Sequence, residues 1–319
     1  MLQKPHCQVI AIEEHYYDRE LVKHFGTVEP NPAVVDRMFE FGERRIKEMD
    51  EAGIDIQVLS HGAPSAQRLS GDGALAITQG VNDRLAAVVA ARPDRFAAFG
   101  ALPTCDPKGA ADELERVVVK HGFKGAMIHG LANDMFVDDK RFWPIFERAH
   151  RLDVPIYLHP SIPHKAVMEA YYKDYVKDFP LVIRAAWGFT VETATQAIRM
   201  VLSGVFEAYP GLKIIIGHLG EMLPFQVWRI DQALSRPGQK SISFRDVFCG
   251  NFYITTSGNF SDPALMCCVQ EMGVDRIMFA VDWPFVANAP ATQWMQSVPL
   301  CEEDKIKILS GNAKRLLRM

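Results

Sequence analysis

The sequence predicts an α/β chain of the (β/α)8-barrel class, a TIM barrel with inserted loops after strands 1 and 5. Three observations lead there. Short β-rich apolar runs recur eight times, usually with a longer helical stretch before the next. The runs are near-continuously apolar, as in a parallel sheet covered on both faces. Ligand-type polar residues follow several of them, at the end where parallel barrels gather their chemistry. A doubly wound open sheet fits the same alternation and stays open on these grounds.

In chain order the strands are expected at 9–12 (VIAI), 56–59 (IQVL), 96–102 (FAAFGAL), 125–128 (GAMI), 155–158 (PIYL), 212–216 (LKIII), 252–255 (FYIT) and 277–280 (IMFA). Their length and β-branched or aromatic content favour strands over helices. Helices are expected at 44–52, 74–92, 110–121, 142–152, 190–206, 224–234 and 263–272, with a closing helix at 302–317. Three connections, 14–43, 160–189 and 235–251, exceed simple turns, and segments of that length are usually functional or carry short structure of their own. Two of them follow a strand's C-terminal end. With no linker, low-complexity segment or further repeat, 1–319 reads as one domain.

Composition narrows the function. With 48% hydrophobic and 23% charged residues the chain matches neither a disordered nor a membrane protein. A net charge of −4 and no basic tract argue against nucleic acid as partner. No apolar run of about 18 residues is present, which argues against a membrane span. The first residues lack the pattern of a secretory signal, and six scattered cysteines read as reduced thiols. The expected location is the cytoplasm.

The strand ends carry the chemistry. Glu13-Glu14-His15 follows the first run, His159 the fifth, Gly217-His218 the sixth and Val281-Asp282 the eighth. In a parallel barrel these places share one rim. Glu13 and His15 differ by two positions, so in an extended segment their side chains point the same way. Two carboxylates and two imidazoles form a shell for one divalent cation of borderline hardness, Zn²⁺ or Mn²⁺. Singly, each has a plainer role: a packed rim histidine, an arginine partner for Glu13, a helix cap for Asp282. Together they point to a metal site. His61 and His129, after strands 2 and 4, are expected as substrate contacts rather than ligands.

Several phrases carry a family resemblance: IAIEEH (10–15), RPDRFAAFGALP (92–103), VPIYLHP (154–160), WGFTVETA (187–194), YPGLKIIIGHLGEMLPFQVWRID (209–231), ITTSGNF (254–260), DRIMFAVDWPF (275–285) and GNAKRL (311–316). In this order they resemble the amidohydrolase superfamily, specifically its aminocarboxymuconate-semialdehyde decarboxylase-like branch and the hydroxybenzoate-decarboxylating members within it. The first strand ends in Glu13-x-His15 where the family often has His-x-His, a departure those members share. The resemblance implies that Glu13, His15, His159 and Asp282 hold one metal, with His218 and Glu221 beside the reacting carboxylate. A binuclear centre would need a lysine after strand 4, where this chain has Ile128-His129-Gly130. His129 departs from the amide side chain expected there in γ-resorcylate enzymes, which bears on ring substitution.

The implied reaction is non-oxidative decarboxylation of an ortho-hydroxybenzoate-type acid. Asp282 would carry a proton to the carboxyl-bearing carbon, with His218 oriented by Glu221. Arg229 is a candidate partner for Asp282 or a nearby anion, and Phe189 and Trp283 are candidates to pack on the aromatic ring. Asn259 is a candidate to orient a metal ligand. The competing readings are hydrolysis of a lactone or amide by a mononuclear centre, and a non-catalytic binding barrel. A small aromatic acid is the expected partner, and the resemblance implies a homodimer or homotetramer.

Overall fold

All eight apolar runs become parallel strands in the computed structural model, which describes residues 6–26, 29, 31–238 and 240–319. They are β1 (Ile10–Tyr16), β2 (Ile56–His61), β3 (Phe96–Ala98), β4 (Ala126–His129), β5 (Ile156–His159), β6 (Ile214–Ile216), β7 (Phe252–Thr255) and β8 (Ile277–Met278). Hydrogen bonds join β1 through β3 in order, and β4 through β8 in order. A bridge between Gly100 and Ala126 links β3 to β4, and one between Glu14 and Trp283 links the chain after β8 to β1. The ring closes into a (β/α)8 barrel.

Two apolar layers hold it. Inside, Ile10, Ile12, Val58, Phe99, Met127, Tyr157, Ile215 and Met278 pack together, and Ala313, Leu316 and Leu317 join them from the closing helical segment. Asn312 of that segment donates through Nδ2 to Val274 O and Ile277 O, so the plug sits at the N-terminal end of β8, away from the site. Outside, side chains such as Leu59, Leu114, Phe146 and Val201 pack between sheet and helices.

The main departure from expectation is β1. It runs to Tyr16, so Glu13 and His15 lie within the strand, and its register against β2 shifts between Ala11 and Glu14. Such a bulge re-aims side chains. Ile10 and Ile12 face the barrel interior, and after the shift Glu13 and His15 do so while Glu14 turns to the helix layer. β3 and β8 are shorter than expected because the chain at Gly100 and after Met278 leaves the ladder.

The long connections carry structure of their own: helices Arg19–Val22 and Pro32–Met38 in the first, short helical turns between Lys165 and Ile183 in the second, and Phe244–Asn251 in the third. The closing helix contains a π turn at Lys307–Gly311. A helix at Asn288–Ser297 had no counterpart in the sequence reading, since NAPATQWMQS has little apolar periodicity. The six cysteines are unpaired. Among the described residues no helix is long and apolar enough to cross a membrane.

Candidate active site

Four of the expected ligands converge. One donor atom each from Glu13, His15, His159 and Asp282 lies within 4.8 Å of every other. His159 Nε2 is 3.3 Å from Glu13 Oε1, and His15 Nε2 is 3.3 Å from Asp282 Oδ1. Glu13 Oε1, His15 Nε2 and Asp282 Oδ1 are buried with no hydrogen-bond partner. Buried polar atoms ordinarily find partners. Three orphans aimed at one point, two of them carboxylate oxygens, fit a cation there.

Outer partners of the candidate ligands Glu13 and His15 are in place. Glu13 Oε2 accepts from the Tyr157 hydroxyl and, at 3.2 Å, from Thr255 Oγ1. Tyr157 precedes His159 by two positions on β5, so both point inward, and the one phenol in PIYL was the available sequence signal. His15 Nδ1 meets Ser60 Oγ at 3.2 Å. Behind the bulge, Glu14 accepts from the backbone N–H groups of Val281 and Trp283 at 2.9 and 3.2 Å, tying β1 to the segment that carries Asp282. Arg45 lies fully buried beneath, donating to Gln57 Oε1 at 2.7 Å and to His15 O at 3.0 Å. The sequence reading missed Tyr157, Thr255, Ser60, Glu14 and Arg45, because only the folded barrel brings them to the ligands.

His218 and Glu221 sit on a left-handed turn after β6. His218, Leu219, Gly220, Glu221 and Met222 all have positive φ, between 50° and 77°. Each non-glycine in that region costs on the order of 1–2 kcal/mol, and such strain collects at functional sites. The turn puts His218 Nδ1 2.7 Å from Glu221 Oε1 and His218 Nε2 3.8 Å from Asp282 Oδ2. Asp282 is itself left-handed, at φ 73°. Gly217 is required by contact: a Cβ there would lie 2.8 Å from Glu13 Oε2 and 2.9 Å from Ser257 Oγ.

Charge follows environment. Burial raises the Glu13 carboxyl, opposed by His218. Burial, then the neighbouring imidazoles His129, His15 and His218, push His159 well below the ordinary histidine range, so it stays neutral. Burial disfavours the His218 cation, but Glu221, Glu13 and Asp282 outweigh it and hold His218 well above its usual value. Burial would raise Asp282, but the neighbouring imidazoles of His15 and His218 hold it below the ordinary aspartate value.

The remaining expected residues divide. Phe189 lines a cavity of about 800 Å³ together with His218, Glu221 and Asn259. It also lines an adjoining lobe of about 420 Å³ with His129 and Gln67. Asn259 Nδ2 reaches His218 O at 3.5 Å.

Three expectations are corrected. His61 turns away into the layer of Tyr16 and Tyr17, where Nε2 accepts the Asp18 N–H and Nδ1 donates to Gly62 O, leaving nothing for substrate. Arg229 is exposed on helix Leu223–Leu234, and the ion pairs of Asp282 are to His15 and His218. Trp283 is core: its ring lies under the Arg45 guanidinium at 4.1 Å and its Nε1 donates to Glu48.

A closed parallel barrel with two carboxylates and two imidazoles at its C-terminal rim defines a metal-site barrel of the hydrolase-like kind. The chain matches the amidohydrolase family over residues 6–319 and belongs to that family. It is 38% identical to a γ-resorcylate decarboxylase of Polaromonas sp., over 97% of this chain and 98% of the relative. It is 36% identical to a γ-resorcylate decarboxylase of Rhizobium radiobacter over the same shares. Among solved structures it resembles a 2,6-dihydroxybenzoate decarboxylase complexed with 2,6-dihydroxybenzoate, with TM-score 0.89, 36% identity and coverage of 98% and 99% of the two chains. It likewise resembles the Polaromonas dihydroxybenzoic acid decarboxylase with bound manganese and 2-nitroresorcinol, with TM-score 0.89, 38% identity and coverage of 98% and 97%.

Proposed function

We propose that this chain is a metal-dependent carboxy-lyase that converts an ortho-hydroxybenzoate-type acid to a phenol and CO₂. The observation that carries this is the tetrad Glu13, His15, His159 and Asp282 with His218 and Glu221 beside it, opening on an apolar-walled cavity of about 800 Å³. A small aromatic acid needs such walls with few polar groups. The relatives and solved neighbours that act on dihydroxybenzoates support the same reading.

Glu13, His15, His159 and Asp282 would hold the ion, which when bound would supply Lewis-acid chemistry to the substrate. Manganese fits a half-carboxylate donor set and is present in a solved neighbour. Phe189 packs on the flat ring and excludes water. Glu221 orients His218 through Nδ1 and keeps it protonated, with Nε2 toward Asp282 Oδ2. Asp282 divides its oxygens: Oδ1 faces His15 Nε2 inside the tetrad and Oδ2 faces His218 Nε2. Asp282, protonated from His218, delivers the proton to the ring carbon bearing the carboxylate while the ortho oxygen releases electrons into the ring. The ring-to-carboxyl bond then breaks, its electron pair restores aromaticity, and CO₂ leaves. Asp282 is left as a carboxylate and His218 as a neutral imidazole, and one proton taken up from solvent through the cavity that His218 lines recharges the pair for the next turnover.

A homodimer or homotetramer fits the surface. Phe225, which lines the cavity with Trp187 and Met222, is 77% exposed, and Trp228 on the same helix is 66% exposed. A soluble monomer rarely shows such a patch, and light scattering reads the assembly directly.

The deciding experiment incubates Mn²⁺-loaded protein with a panel of ortho-hydroxylated benzoates and follows CO₂ and the phenol products. Lactones and amides form the control arm. CO₂ release from at least one hydroxybenzoate is expected. Turnover confined to the lactone arm would replace this reading with hydrolysis.

A further inference from the structure

Behind His159 stands a row of imidazoles whose protons can be placed from contacts alone. His61 Nε2 accepts the Asp18 backbone N–H at 3.0 Å, so the His61 proton sits on Nδ1, which donates to Gly62 O at 2.7 Å. His129 Nε2 lies 2.7 Å from His61 O. A carbonyl only accepts, so His129 carries a proton on Nε2. His129 Nδ1 faces His159 Nδ1 at 3.0 Å, and His159 Nδ1 also lies 2.8 Å from Pro160 O. Two bare nitrogens would not approach so closely. The carbonyl of Pro160 can only accept, so its contact with His159 Nδ1 fixes which ring carries that proton. The proton between the two rings therefore belongs to His159 Nδ1, shared between Pro160 O and His129 Nδ1. His159 Nε2 is left bare and faces the tetrad's centre.

We propose that His129 is a positioning residue that selects the tautomer and ring angle of His159 for metal binding and offers the substrate no polar atom. This role rests on the reading of His159 as a metal ligand. Both His129 nitrogens are engaged within the wall, so the ring presents its carbon edge to the 420 Å³ lobe it lines. His61 is the anchor, through its carbonyl. Its own ring is held by the Asp18 N–H, and the Asp18 carboxylate is gripped by Arg84 through two hydrogen bonds of 2.7 and 2.8 Å. A ring nitrogen on the far side of a metal-bound histidine commonly has such a partner. Here the partner is a neutral imidazole rather than a carboxylate, so it orients His159 without adding charge.

The test uses the full chain, Mn²⁺ as ligand, and two variants. H129L removes both nitrogens. H129N keeps an acceptor at the Nδ1 position toward His159 while giving up the donor toward His61 O. Loss of such a partner typically costs on the order of 10–100-fold in metal affinity, and Pro160 O still takes part of the His159 proton, so H129L should weaken Mn²⁺ binding about tenfold and H129N less than about threefold. At saturating Mn²⁺ the KM for a hydroxybenzoate should stay at the parent value in both. Nitrogen-15 NMR of histidine-labelled, metal-free parent should show His129 protonated at Nε2 and His159 at Nδ1. Equal Mn²⁺ affinity in all three proteins would overturn the proposal, as would a raised KM with unchanged Mn²⁺ affinity or an Nδ1-protonated His129. If H129L does not fold, the NMR tautomers of the parent decide. A parent that binds no Mn²⁺ would overturn the metal centre itself and this role with it, a result separable from a failure confined to the variants.

Discussion

Gly217→Ala tests the packing of the candidate metal centre without replacing any candidate ligand. Gly217 has φ −77° and ψ −170°, which alanine adopts freely, so the backbone need not resist. The added Cβ would stand 2.8 Å from Glu13 Oε2, 0.6 Å short of the 3.4 Å at which ordinary contact begins, and 2.9 Å from Ser257 Oγ. Glu13 has little freedom to retreat, because Oε2 is held by Tyr157 and Thr255. Metal donors tolerate displacements of only about 0.2 Å, so a shift of several tenths removes Glu13 Oε1 from bonding distance or angle. The expected loss in Mn²⁺ affinity is on the order of 10–100-fold, the range seen when a ligand's support is disturbed. Overpacking of this kind costs about 1–3 kcal/mol, so the metal-free variant should fold with a modestly lowered Tm. Mn²⁺ titration against a competing chelator reads the first quantity, and thermal unfolding of metal-free protein reads the second. An alanine variant with parental Mn²⁺ affinity and parental Tm would refute the claim that Gly217 is kept small for Glu13.

Three further outcomes follow from the same geometry. Asp282→Asn should lower the decarboxylation rate by roughly 10²–10⁴-fold, the usual worth of a positioned proton donor, while hydroxybenzoates still protect the protein in thermal shift; a rate near the parent's removes Asp282 from proton delivery. His218 is held above its unfolded value, about 6.5, so in metal-free protein its stabilising contribution is complete below that pH and lost as pH rises through the higher folded value. Glu221→Gln should flatten that decline in denaturant midpoints, and an unchanged slope would assign it elsewhere. Burial lowers Arg45 to about 9, opposed by Glu14, so it remains a buried cation at neutral pH. Arg45→Met should destabilise by about 3–5 kcal/mol, and adding Glu14→Gln should recover part of it, because the cost lies in the stranded carboxylate; no recovery in the double variant would show that packing against Trp283 dominates.

The sequence by itself determined the alternation of eight apolar runs with helices, and it showed the candidate ligands at the strand ends. Both are local: strand composition and the i, i+2 spacing of Glu13 and His15 need no distant contact to be legible. What it could not reveal was which way side chains turn once β1 slips against β2. The bulge between Ala11 and Glu14 sends Glu13 and His15 inward and Glu14 onto the backbone N–H groups of Val281 and Trp283, a parity that no simple alternation contains. Position after a strand likewise placed His61 near the site, and the WRID phrase placed Arg229 there, but tertiary contacts decided otherwise. The backbone of Asp18 claims the ring of His61, and helix Leu223–Leu234 carries Arg229 on its solvent side. Residues that act through others, such as Tyr157 on Glu13 and His129 on His159, become visible only when strands far apart in the chain lie side by side. Their role is a distance, and distances between strands are made by closure of the barrel.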